Sequence, residues 1–572
     1  MNKKFFAALA SATMALSATG SLAVFADEFD TVDEVTNIVD GSVNTNPDGS
    51  VAFTKANFPD ADFREAIITA YGKLGITVSL DQVLTKDELA KIKAINVNDA
   101  TNAANSCKSV AGIEVFPNLE TFTSNSQVLT SADLSANTKL NTVEITDAIS
   151  LTELKLPATN ALKKIVLKGD NSGTRCPLPI LDLSGNKGLN EVTINGTDVA
   201  NIDLSNNTFL EKLDVRNNKI NTLNVDGALN LKTLNAAKNN LYSVELPAYS
   251  KLETVNLYKN KLQSLDVTKE LNLKSLDVAD NCLKTLDLSE NTKLEKLNVV
   301  DNNLGYLDLS NTALTVDYDL DVDSRCADTT FPSGAAAVST QHAFVDAEYD
   351  TVDLAANFEG LDKDKLHDAY NATLTGSTFK FDKDGDNYKG VGSYTYNTGK
   401  GFMRTVVAKA DLMNRLYNPN SGEHFYTKDA NEKNVLVGLG WQDEGIGWVA
   451  PNKDQKIEYN PAAKISPVYR LYNPNAGDHH YTKDSRERDA LVSAGWKSEG
   501  IGWYTPDTNF VYDSADTGNK FEMTVTRLDL FREYNPNAKA AGSHNYTLNE
   551  AENDFLCSIG WIPEGIAWSS LK

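Results

Sequence analysis

Residues 202–309 repeat every 21 residues, and no other feature narrows the fold of this 572-residue chain as far. Leu213, Leu234, Val255, Leu276 and Leu297 fall in one column, and Val215, Ala236, Leu257, Val278 and Val299 in another. Asn218, Asn239, Asn260, Asn281 and Asn302 form an unbroken asparagine column. Alternating apolar residues put the inward side chains of a short strand into a core. One repeat cannot bury that core alone, but stacked neighbours can. The asparagine turns the chain out of the strand, and its amide can bond the backbone of adjacent turns. This ladder is structural rather than catalytic. Upstream the period loosens: 140–145, 151–156 and 162–167 read as degenerate repeats, and 168–179 as an insertion.

The unit LxxLxVxxNxL, as in residues 210–220, is the leucine-rich repeat signature. It predicts a solenoid over 131–330 with a polar-capped start over 49–130. In that cap, 57–68 reads as a capped amphipathic helix, and Thr85 with Glu88 as a capping box. The cap resembles those of secreted Gram-positive, internalin-like leucine-rich repeat proteins. Many of these carry an acidic, calcium-loop-like stretch between the helices; here 74–78 is Leu-Gly-Ile-Thr-Val, which argues against calcium. The strand columns expected to face outward are Lys212, Thr233, Thr254, Ser275, Lys296 and Asp214, Asn235, Asn256, Asp277, Asn298, with Tyr258 the nearby aromatic. Such side chains serve solvation as readily as they hydrogen-bond a peptide or sugar.

Residues 1–26 read as an export signal: Lys3 and Lys4, a mostly apolar stretch, then Val24-Phe25-Ala26 as a cleavage site. A membrane anchor is the rival, but serines, threonines and a glycine dilute the apolar run. No second apolar run of that length follows, so no membrane span is expected after cleavage. Residues 27–48 are acidic, lack pattern and are expected to be flexible. A net charge of −24 argues against nucleic acid as a partner. Five scattered cysteines form no CxxC pair and no disulfide framework. Signal and cysteine poverty together suggest a secreted bacterial protein.

Residues 331–410 alternate around 377–381, 393–396 and 404–407, with turn signals between. They resemble the small immunoglobulin-like β-domain that often follows such repeats. Asp382, Asp384 and Asp386 hint at calcium, but the twelfth position of an EF-hand loop would be Ser393, so a hairpin turn is expected.

All six tryptophans lie beyond residue 440, in three spaced pairs. They mark a triplication over 411–572: 415–448, 470–503 and 532–568 each run from Arg through Tyr-Asn-Pro-Asn and a His-x-Tyr-Thr to Gly-Trp and Glu-Gly-Ile-x-Trp. The third copy carries three extra residues before His544. The region resembles the triplicated HFYT/GW/EGxxW lectin-like module of the DUF5648 type, found in many secreted bacterial proteins. The resemblance implies wall or glycan binding. Each copy reads as strand, turn, strand, short helix and a Trp segment, which suggests a pseudo-threefold, β-trefoil-like closure.

This region holds 25 Val, Ile and Leu but 21 aromatics, so aromatic rings must fill its core. A buried tryptophan removes ~200 Å² from water, worth about 5 kcal/mol gross. At a spacing of two, Trp448, Trp503 and Trp568 should share a strand face with Ile446, Ile501 and Ile566. They are either core or exposed stacking platforms. The candidate glycan-binding set is these three tryptophans with His424, His479 and His544, Tyr426, Tyr481 and Tyr546, and Glu444, Glu499 and Glu564. The histidines could meet on a threefold axis as a metal site, but hydrogen-bonded structural roles fit better, and no metal or cofactor is expected. Catalytic sites break symmetry, and these residues recur in every copy.

No zincin motif, nucleophile elbow or Cys/His frame is present, so no enzyme is expected. The composite reading is a secreted or non-covalently surface-associated bacterial binding and adhesion protein. Its solenoid would take a surface protein or glycan, and its C-terminal module a cell-wall or host carbohydrate. Alternatives are a structural surface-layer component or an accessory part of a cell-wall hydrolase system.

Overall fold

The computed structural model describes residues 43–99, 107–318, 335–337, 341–384, 387–388, 390–452, 464–508, 510–513, 522–525, 527–538, 542 and 544–572. Residues 1–26, where an export signal is expected, most of the acidic segment, Cys326 and Asp386 lie outside them. Among the described residues no helix is long and apolar enough to cross a membrane.

The 21-residue period becomes a parallel ladder. A twelve-stranded sheet climbs from Ala94–Asn96 through Lys212–Asp214, Thr233–Asn235, Thr254–Asn256 and Ser275–Asp277 to Lys296–Asn298 and beyond. Leu213, Leu234, Val255, Leu276 and Leu297 are direct register partners. The asparagine ladder forms between turns. Asn260 donates to the carbonyls of Ala236 (3.1 Å) and Leu257 (2.9 Å) and accepts from the Leu241 N–H (3.1 Å). Asn239, Asn281 and Asn302 repeat this set. The preceding residue in each repeat, from Asn217 to Asp301, takes a left-handed conformation that reverses the chain.

Both ends of the stack are closed. At the start, Asp60 caps the helix Ala61–Lys73, and Thr85 with Glu88 forms the capping box of Lys86–Leu89. Phe53, Phe58, Phe63 and Phe116 pack behind them. Val43 packs on this core and Thr45 bridges Val51, so the cap begins within the stretch expected to be flexible. At the other end, Gln341 supplies the next rung. Its amide donates to the Val299 carbonyl (3.0 Å) and accepts from the Leu304 N–H (3.4 Å).

Gln341 begins a two-sheet β-domain. One sheet holds Thr351–Asp353, Thr378–Phe381 and Ala372–Thr375; the other holds Leu366–Tyr370, Val391–Asn397 and Phe402–Tyr417, with Gln341–Asp346 parallel to the last. Lys383–Asp384 pairs with Asn387–Tyr388 as a hairpin. Phe402–Tyr417 runs straight through the expected boundary at 410, so β-domain and C-terminal module share a strand instead of a linker.

Each copy of that module folds as three antiparallel strands and a nine-residue helix, and not as the paired hairpins of a trefoil. The second copy shows the unit: Ile465–Asn473, Asp478–Thr482, Ser485–Ser493 and Lys497–Pro506. The helices of the other copies are Ala430–Gly438 and Glu550–Ser558. The third copy also docks on the solenoid flank. Asn221 donates to Asp554 (2.9 Å), Tyr242 to the Leu548 carbonyl, and Lys261 pairs with Glu550 (3.6 Å). Among the described residues Cys107, Cys176, Cys282 and Cys557 are free thiols.

Candidate binding site

The three copies meet on an axis of aromatic rings. Trp448, Trp503 and Trp568 form a triangle with centroids 5.4, 5.5 and 5.8 Å apart. Tyr426, Tyr481 and Tyr546 form a second triangle at 5.6 to 5.7 Å. The Tyr426 hydroxyl donates to the Tyr546 carbonyl (3.1 Å), Tyr546 to Tyr481 (2.9 Å), and Tyr481 to Tyr426 (3.5 Å), closing a ring.

This placement corrects the stacking-platform reading. Each of the three tryptophans is 2% exposed, and the tyrosines are buried too. No sugar can reach them. The expected shared face with isoleucine also fails, because Ile446, Ile501 and Ile566 are 41%, 47% and 51% exposed. A β-bulge separates the two. Met413 opposes Trp448 and the very next residue, Asn414, opposes Ile446, so Gly447 is an extra residue that turns the strand over. Gly502 and Ala567 play the same part in the other copies.

The predicted glutamates and histidines form a belt around the axis. Arg415, Arg470 and Arg532 each pair with their own copy's Glu444, Glu499 or Glu564 at 2.8 to 2.9 Å. Each also reaches the helix of a neighbouring copy: Arg415 to Glu552 (2.6 Å), Arg470 to Glu432 (2.9 Å) and Arg532 to Glu487 (3.2 Å). His424, His479 and His544 lie 3.4 to 3.7 Å from Glu444, Glu499 and Glu564. Rings occupy the axis, so the histidines stay apart. Burial beside His480 and Arg532 pushes His544 down to about 3, which keeps it neutral.

Symmetry breaks at one pair of positions. Leu416 opposes Phe425 and Leu471 opposes His480, but in the third copy Glu533 opposes Asn545. Glu533 is fully buried, and burial pushes its carboxyl up to about 8. Asn545 donates to it at 3.1 Å. Beside this pair, between the third and first copies, opens a cavity of about 450 Å³. Tyr417, His424, Asn535, Asn545, Glu552 and Trp561 are among its walls. Against the cost of its own burial, the Arg415 charge and two hydrogen bonds hold Glu552 below the usual carboxylate range. Of the predicted set only His424 lines the cavity. Trp561, half-buried, belongs to the first position of its tryptophan pair rather than the second.

On the solenoid, the second outward column is occupied with its own backbone. Asp214, Asn235, Asn256, Asp277 and Asn298 each accept from the N–H two residues on, at 3.0 to 3.4 Å. One of those donors is the N–H of Tyr258, whose side chain is half-buried. Burial pushes Asp277 up to about 6. These side chains set the turn into the asparagine ladder. The first column, from Lys212 to Lys296, is the more open one.

Residues 412–571 match the family model described as Domain of unknown function (DUF5648), so a DUF5648 domain forms the C-terminus. No curated protein matches the sequence. Among solved structures, the chain is similar to the functional domain of InlJ from Listeria monocytogenes, at 17% identity over 63% of this chain and 98% of that one, TM-score 0.21. InlP from Listeria monocytogenes aligns at 16% identity over 62% and 97%, TM-score 0.36. A leucine-rich repeat protein of Leptospira interrogans aligns at 20% identity over 36% and 52%, TM-score 0.28.

Proposed function

We propose that this is an exported bacterial binding and adhesion protein whose DUF5648 domain holds a cell-wall or host carbohydrate. The single observation behind this reading is the cavity between the third and first copies. An indole and a phenol wall it, with amides, a carboxylate and an imidazole beside them. That composition suits a sugar, which offers C–H faces to rings and hydroxyls to polar atoms. The solenoid would present its open strand column to a surface protein or glycan. The two-sheet domain, read as immunoglobulin-like, fixes the angle between the two. Binding fits better than catalysis, because the recurring Arg, Glu, His and Tyr groups are held in fixed mutual pairs. The test is retention of the intact protein on purified cell wall and on a glycan array. Trp561→Ala should abolish retention without shifting the melting temperature. Failure of every wall and glycan to retain the parent protein would refute the carbohydrate reading.

A further inference from the structure

The three inter-copy clefts are built alike. In each, a residue preceding the axial tyrosine lies near the first tryptophan of its own copy and the histidine of another. In the first copy that residue is Phe425. Its ring is 6.1 Å from Trp441 and 4.8 Å from His479, with the Arg470 guanidinium 5.3 Å above it. In the second copy it is His480, 6.1 Å from Trp496 and 4.5 Å from His544, and bonded to Glu487 at 3.1 Å. A ring therefore stands as a wedge in each of these clefts.

The third copy has Asn545 at this place, and among the described residues no ring stands between Trp561 and His424. The amide is also drawn downward. Its Nδ2 donates to Glu533 (3.1 Å) and to Glu552 (3.3 Å). Leucine at the Glu533 position would offer no such acceptor, so the two substitutions act as a unit. They remove a wedge and hold its replacement out of the way. The result is the cavity of about 450 Å³, within the ordinary range for small-molecule sites.

We propose that the module binds one neutral saccharide, in the cleft between its third and first copies alone. This rests on the carbohydrate reading above and narrows it. Triplication by itself suggests three weak sites; the missing wedge leaves one. Neutrality follows from the charges. Among the described lining residues Glu552 is the one carboxylate, and Arg415 holds it through two hydrogen bonds of 3.0 and 2.6 Å. A charged ligand would have to break that pair or sit against one of its partners uncompensated, at a large desolvation cost. A pyranose needs neither, and can lie between Trp561 and Tyr417.

The test is titration calorimetry of the full-length mature protein with glucose, galactose, mannose and N-acetylglucosamine and their di- to tetrasaccharides, with uronic and sialic acids as charged counterparts. The expected result is one site per chain for a neutral sugar. Glu533→Leu with Asn545→Phe recreates the first copy's pair, fills the cleft and should weaken binding by more than about 30-fold while the protein stays folded. Trp561→Ala removes a wall from the other side and should weaken binding in the same range. The reciprocal change, Leu416→Glu with Phe425→Asn, should raise the stoichiometry to two. A stoichiometry of three, unchanged binding by the filled-cleft variant, or preference for the acidic sugars would overturn the inference and leave the carbohydrate reading standing. If no sugar of either class binds the parent, both fall.

Discussion

The solenoid and the C-terminal module both repeat a short unit, but one is an open stack and the other a closed ring. In the stack, each asparagine satisfies the turn before it, and the last rung needs a residue from elsewhere. Gln341 of the β-domain supplies it. In the ring, each tyrosine hydroxyl bonds the backbone of another copy and the third returns to the first. A stack can therefore drift, as its upstream repeats do, because each rung answers only to its neighbours. A ring has no such slack. A departure in one copy must be compensated locally, which is why the Glu533–Asn545 pair is informative.

The comparison can be broken most severely on the axis. Trp448→Ala should cost about 3–5 kcal/mol, as for other buried tryptophans. Chemical unfolding should show the module melting early while the solenoid stays intact; simultaneous loss of both would mean that the shared strand Phe402–Tyr417 and the docked third copy couple them. On the stack side, Asn260→Ala strands the Leu241 N–H in the core and takes one of two amide donors from each of the Ala236 and Leu257 carbonyls, which keep Asn239 and Asn281. At about 1–3 kcal/mol for the orphaned N–H and about 0.5–1 kcal/mol for each of the two lost hydrogen bonds, a loss of roughly 3 kcal/mol is expected. Hydrogen exchange should then accelerate at Ala236, Leu241 and Leu257 and nowhere in the module.

Much of this was legible in the sequence. Register, ladder, the Thr85–Glu88 capping box and the aromatic core all follow from local pattern. The orientation of the tryptophans did not, because a bulge is fixed by the partner strand and not by spacing along its own. Gly447 and Gly502 were the available cue, since glycine often marks such a position. The backbone role of the second solenoid column was hidden for a related reason. Polar residues at strand ends look free to meet a ligand, yet an oxygen of each accepts from the N–H two residues on in its own repeat. The cavity was hidden because His-x-Tyr-Thr reads as one motif in all copies. Its trace was the residue across the hairpin, where Leu416 and Leu471 give way to Glu533.

Acidity offers a smaller perturbation of the ring. Buried Glu533 faces Asn545, Glu552, Arg415 and the Cys557 thiol, and its carboxyl stands at about 8 against an ordinary 4.5. Between those values the folded state holds a proton that the unfolded chain has lost. The stability tied to this group is complete below pH ~4.5 and is lost as pH rises toward 8. Glu533→Leu with Asn545→Phe should flatten that slope in thermal melts. The smallest effect belongs to the junction of the two regions. Lys261→Ala removes a pair of 3.6 Å with Glu550 and should cost under about 1 kcal/mol, less at high salt.

The most direct measurement is a crystal structure of the full-length mature protein soaked with a neutral saccharide that it retains. The sugar should lie between Trp561 and Tyr417, once per chain, with the clefts behind Phe425 and His480 closed. Sugar density at all three clefts, or on the solenoid strands with the Trp561 cleft empty, would contradict the account.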